Sequence, residues 1–144
     1  MIFLSCNGQK KSVIKKSASK TQDSNTLLNL IVSDNYSGAD SAETLLITDI
    51  KGLQKFYSKI NRTRKPGLPV PDIDFSKESV IIRCSGKQND SSPPELYVIE
   101  VSEESVVIGI KETIKNAKAT AVTTPFSVYK IPLNKKEVIF KKEQ

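Results

Sequence analysis

Histidine and tryptophan are absent from the 144 residues, and cysteine occurs only twice. Without histidine there is no Ser-His-Asp or Cys-His catalytic arrangement and no His-ligated metal centre. Aromatic residues make up only 6% of the chain, too few for a cleft lined with sugar-stacking rings. No apolar run approaches the roughly 18–20 residues that span a bilayer. The two cysteines do not amount to a disulfide framework, and at this length a domain buries enough surface to fold without one. Hydrophobic residues at 38% against charged residues at 26% fit one polar domain with a modest core.

The charge that is present is unevenly placed. The formal net charge is +6, which invites a nucleic-acid reading. Residues 1–25 carry five lysines against Asp23, and residues 130–144 carry five lysines against two glutamates. The stretch 26–129 holds 12 cationic and 13 acidic residues and is nearly neutral. Only three of the 22 cationic residues are arginine, and the basic N-terminal stretch has no aromatic residue after Phe3. A solvated tail and an exposed last strand account for this distribution better than a nucleic-acid face.

Met1-Ile2-Phe3-Leu4-Ser5-Cys6 is similar to the end of a bacterial lipoprotein signal, in which the residue after the cleavage point is a cysteine that receives lipid. Five residues precede Cys6, fewer than a complete signal needs, so 1–5 are read as a signal remnant. Residues 6–26 are rich in Asn, Gln, Ser, Thr and Lys, the composition of a hydrophilic tether whose lysines also favour anionic headgroups. Asn7 in place of Asp lacks the usual inner-membrane retention residue and favours the outer membrane. The alternative is an ordinary polar N-terminus with an incidental cysteine.

From residue 27 the hydrophobic pattern predicts a single globular domain to residue 142. Apolar runs at 27–33, 43–48, 78–84, 95–101, 106–111, 126–132 and 137–141 read as strands. Ile50, Leu53, Phe56 or Tyr57, and Ile60 recur at helical spacing, predicting one helix over 49–61 capped by Thr48 or Asp49. Lys59, Arg62, Arg64 and Lys65 gather where the helix dipole favours cations. Pro66, Pro69 and Pro71 force an extended connection. In the strands, Val80, Ile82 and Cys84 share one face, as do Tyr97, Ile99 and Val101, and Val106, Ile108 and Ile110. Residues 95–111 read as a hairpin through Ser102-Glu103-Glu104-Ser105. The predicted class is α+β, mostly β: an antiparallel sheet or sandwich of about six to seven strands with one packed helix.

Chemistry-bearing residues are sparse. Cys84 reads as a small buried hydrophobe with no base to activate it. Asp72 and Asp74 suit either a turn or a cation, and the turn is the commoner role. No metal and no cofactor is expected. Two irregular loops, 86–95 and 113–125, are candidate contact surfaces, with Asn89, Asp90, Ser91, Pro93, Pro94, Lys118, Thr120 and Thr123 as the candidate partner-binding residues. A domain without a binding task would expose such loops equally.

The order of elements from Ile31 to Leu133 resembles the C-terminal domain family of PrcB, the non-catalytic subunit of a bacterial surface protease complex. The matching stretches are Tyr36-Ser37-Gly38, the helix opening after Thr48-Asp49, Pro71-Asp72-Ile73-Asp74-Phe75-Ser76-Lys77-Glu78, Gly86, and Thr124-Pro125-Phe126-Ser127-Val128-Tyr129-Lys130-Ile131-Pro132. Where that family usually carries a Thr-Gly-Gly-Tyr turn, this chain has Asn89-Asp90-Ser91-Ser92-Pro93-Pro94. The resemblance implies a non-enzymatic envelope lipoprotein that binds or assembles with another envelope protein, a protease complex being the implied partner. A small peptide- or carbohydrate-binding envelope domain is the other expectation.

Overall fold

The computed structural model describes residues 27–111 and 121–143. Strands β1 (Asn29–Asp34) and β2 (Glu43–Ile47) precede helix α1 (Ile50–Ile60). Strands β3 (Glu78–Cys84), β4 (Glu95–Val101), β5 (Ser105–Lys111), β6 (Phe126–Pro132) and β7 (Glu137–Lys142) follow. Four strands form one sheet in the order β1-β6-β3-β2, and three form a second in the order β4-β5-β7. The α+β, mostly-β class agrees with the sequence pattern, as do the seven strands and helix α1 among the described residues.

The molecule has three layers, because the four-stranded sheet is buried on both faces. Alternation along β3 sends Val80, Ile82 and Cys84 to the α1 side, where they meet Leu53, Phe56, Tyr57 and Ile60. Ile81, between them, points the other way and packs with Val106, Ile108 and Ile110 of β5. Strand β6 does the same with Phe126 and Val128 on one side and Tyr129 and Ile131 on the other. Phe126 meets Phe56 edge-on, with ring centroids 5.5 Å apart.

Helix α1 begins where Asp49 Oδ1 accepts the Gly52 N–H at 2.7 Å, so Asp49 and not Thr48 is the cap. Its buried stripe is Leu53, Phe56, Tyr57 and Ile60, while Ile50 stays half exposed. At the far end the Asn61 side chain donates to Leu68 O and accepts from Leu68 N–H, both at 2.8 Å. That clamp fixes the start of the proline-rich connection. Arg64, expected only as a dipole-favoured cation, instead forks onto Asp34 at the end of β1, with one guanidinium N–H donating at 2.9 Å.

Two expectations change. The strands are not all antiparallel: β4 and β5 form the antiparallel hairpin, but β5 and β7 run parallel. The intervening β6 crosses into the other sheet, so the chain has reversed twice when it returns beside β5. Tyr97, Ile99 and Val101 do not share one face: a bulge between Val98 and Glu100 shifts the register, so Tyr97 lies outward opposite Gly109 while Val101 stands opposite the inward Val106, and all three are exposed. Strand β4 is apolar on both sides, and its inward residues are Leu96 and Val98. Tyr97 instead lies over Gly109, where an added Cβ would come within 2.3 Å of its ring.

The β3-to-loop turn depends on Gly86, at φ +78°, where a Cβ would sit 2.7 Å from the Ala42 backbone nitrogen. Gly38 has a similar φ of +75° but open space around it. Alanine at Gly38 should therefore cost only the left-handed backbone, about 1 kcal/mol. Alanine at Gly86 also forces two backbone segments apart and should cost about 3 kcal/mol. Urea unfolding of the two variants beside the parent checks the difference.

Candidate functional site

The loop after Gly86 is held against the segment before β6. The N–H of Thr123 donates to Gln88 O at 2.8 Å, and Gln88 N–H donates to Thr123 O at 2.9 Å. Thr123 Oγ1 donates to Asp90 O at 2.6 Å, and Ser127 Oγ donates to Pro94 O at 2.6 Å. Inside the loop, Asp90 Oδ1 accepts from the Ser92 N–H and hydroxyl. Thr123 and Pro94 are buried, so these two candidate contact residues brace the loop and do not present a surface. Asn89, Ser91 and Pro93 are exposed on it and Asp90 is half-buried. Lys118, Thr120 and Cys6, with the proposed signal remnant and tether, lie outside the described residues.

Cys84 is fully buried and not in a disulfide. Burial pushes its thiol up to about 11 against a hydrogen bond from Ser37 that lowers it. A thiol so placed is a packing residue. Asp74 is a turn residue: its Oδ1 accepts from Ser76 N–H at 3.0 Å and from the Ser76 hydroxyl, and these bonds lower its pKa. Asp34 is likewise lowered, chiefly by its bonded Arg64 and further by the N–H groups of Asn35 and Tyr36. Among the described residues no group of three or more Cys, Asp or Glu side chains could hold a metal ion, and no helix is long and apolar enough to cross a membrane.

A groove of about 750 Å³ lies between α1 and β2. Leu45, Ile47 and Phe56 supply apolar surface, Lys55 and Lys59 supply cations from the helix, and Arg62 supplies one from just beyond it. Glu43 contributes a carboxylate at the start of β2. Helix α1 returns antiparallel along β2. Its first turn is so near the strand's end that a Cβ on Gly52 would lie 3.2 Å from Ile47 Cγ2. At the opposite end both Glu43 and Lys59 are close enough to act on the Cys84 thiol. Among the described residues strand β2 pairs only with β3 and forms one border of its sheet, so its outer backbone edge is open there beside the groove.

Reading the sequence by motif missed this site. The signal was present as Lys51, Lys55 and Lys59, at spacings of four along α1, and Arg62 three positions on, just past its end. Lys59 and Arg62 were read only as cations favoured by the helix dipole, and Lys51 and Lys55 were given no role. That β2 is a border strand beside the helix is information carried by topology alone.

An α+β domain of three layers with an open, cation-rimmed groove at one sheet border is thus the class that fold and site define. The chain matches no protein-family model, no curated protein and no solved structure.

Two outcomes follow for the titrating groups. In a Cys6→Ser chain, the Cys84 thiol should react with a disulfide reagent at pH 8 at least roughly a hundredfold more slowly than after unfolding, from the raised pKa alone. Asp34→Asn keeps the turn acceptor but removes the ion pair, and should cost about 1 kcal/mol at pH 7, limited by the pair's contact with solvent. Because the folded-state pKa of Asp34 is depressed, its contribution is complete above the unfolded value near 3.8 and is lost as pH falls through the lower folded value. Urea titrations at pH 7 and near pH 2 should show the gap between parent and variant closing in acid.

Proposed function

We propose that the protein is a non-catalytic envelope lipoprotein whose domain, residues 27–142, binds or assembles with another envelope protein. The observation that carries the binding role is the groove between α1 and β2 with its open strand edge. Concave, largely preformed surfaces beside unpaired backbone are where proteins take up partner segments. The braced loop at 86–95 offers a second, smaller contact through Asn89, Ser91 and Pro93. The buried, high-pKa Cys84 and the hydrogen-bonded aspartates Asp34 and Asp74 support a structural account of the groups that might otherwise invite an enzymatic one.

The address rests on the sequence around Cys6 and the lysine-rich stretch after it. The resemblance to the PrcB C-terminal domain family makes a surface protease complex the first partner to consider. Of the alternative ligands, a peptide suits the groove better than a carbohydrate. Phe56 is the only aromatic residue lining it and is buried, so it offers no ring face for a sugar.

In intact cells, a photocrosslinking residue at Ser58, on the groove, should capture one envelope protein, while the same residue at Lys141 should not. Recovery of the same adduct from both positions, or of none from Ser58, removes the groove as the binding site. The intact mass of membrane-extracted protein should show diacyl or triacyl addition at Cys6; an unmodified N-terminus removes the lipid anchor.

A further inference from the structure

We infer that the groove takes an extended, acidic segment of its partner, added as a new strand on the open edge of β2 with its glutamate or aspartate side chains toward α1. This deepens the proposed binding role and rests on it.

The first support is electrostatic. Lys51, Lys55 and Lys59 lie along one side of α1, Arg62 follows just beyond its C-cap Asn61, and the helix contains no acidic residue. The five ion pairs formed among the described residues use Arg64, Lys77, Lys87, Lys111 and Lys130, and none uses these four. Like charges three and four residues apart on a helix repel, by a few tenths of a kcal/mol per pair. Lys51 also stands in the first turn, the end where the dipole disfavours a cation. The helix therefore carries local repulsion that an anionic neighbour relieves.

The second support is dimensional. Five strand residues in β2 extend about 17 Å, and the eleven residues of α1 rise about 16–17 Å. Same-side residues of an extended chain recur every 6.6–6.8 Å or so, and Lys55 and Lys59 are about 6 Å apart along the helix axis. A strand beside β2 thus brings alternate side chains level with successive cations. Glutamate suits these positions, because its stem can lie on Leu45 and Ile47 while its carboxylate reaches the lysines. The intervening residues fall on the opposite face beside Leu46, which is 47% exposed and apolar. The recognised pattern is therefore acidic alternating with apolar. A nucleic acid fits less well: the groove gives no exposed ring for a base to stack on, and a strand edge offers it no backbone match.

The test uses the full chain and a blocked heptapeptide alternating valine and glutamate. Saturable binding is expected, at least tenfold weaker in a Lys55→Glu/Lys59→Glu variant, whose substitutions are on exposed positions. Amides of Glu43–Ile47 should gain hydrogen-exchange protection when the peptide binds. A proline at the peptide's centre should abolish binding, and so should N-methylation of alternate residues in one of its two phases. Equal affinity for the lysine-for-glutamate peptide, the proline peptide or twelve-nucleotide oligothymidylate overturns the inference, as does no binding up to about 2 mM. If Ser58 still captures a partner in cells while the acidic peptide fails, the binding role stands and the strand-addition inference does not.

Discussion

The pairing of β3 with β6 is the contact on which the other layers depend. These two strands lie at the centre of the four-stranded sheet, in unbroken register from Glu78↔Pro132 to Cys84↔Phe126. Each contributes side chains to both cores, so the helix layer and the second sheet are attached to the same two strands. Removing apolar surface from either face loosens one layer directly and shifts the backbone that the other layer packs on. The border strands β1 and β2 are then free to serve elsewhere. Strand β1 ends in Asp34, which ties down Arg64 after the helix, and β2 leaves its outer edge open beside the groove.

What was legible in the sequence follows from periodicity. The stripe Leu53, Phe56, Tyr57, Ile60 identified the helix, and seven apolar runs identified seven strands, with β3 and β6 matched to the residue. Periodicity could not say which face of β4 points inward, because Leu96, Tyr97, Val98, Ile99 and Val101 are all apolar, and it could not show the bulge between Val98 and Glu100 that breaks the alternation. Nor could it show that β5 and β7 are parallel, since strand direction depends on β6 changing sheets. The candidate site was less legible. Exposed loop residues such as Asn89 and Ser91 were identifiable by composition. Thr123 and Pro94 were not distinguishable from them, because their burial comes from bonds to Asp90 and Ser127 across more than thirty positions. The groove needed the helix laid back along β2 before Leu45, Ile47 and Phe56 could converge with Lys55 and Lys59.

The neutral total of the central stretch also hides a local imbalance. Five cations of the domain are matched by nearby carboxylates, including Asp34, Asp74 and Glu78, while those of α1 are collected on one side. Summed charge describes solubility, whereas the arrangement describes a partner. The same division applies to the polar groups. Asp34, Asp74, Asp90 and Thr123 all resemble site residues in isolation, and in the fold each terminates or braces a turn.

The order in which the strands enter the sheets sets a schedule for the chain's assembly. Among the described residues, only β4–β5, a direct hairpin, and β2–β3, linked through α1, pair strands that are consecutive in the chain. Strand β1 pairs with β6, Asn29 opposite Lys130, and β3 must also wait for β6 before either of its cores can close. During synthesis the first hundred residues therefore have no central partner, and the loop-closure entropy of these distant pairings falls due only when Phe126–Pro132 arrives. A domain built this way stays open until nearly its whole length is available, so its two cores close together and late.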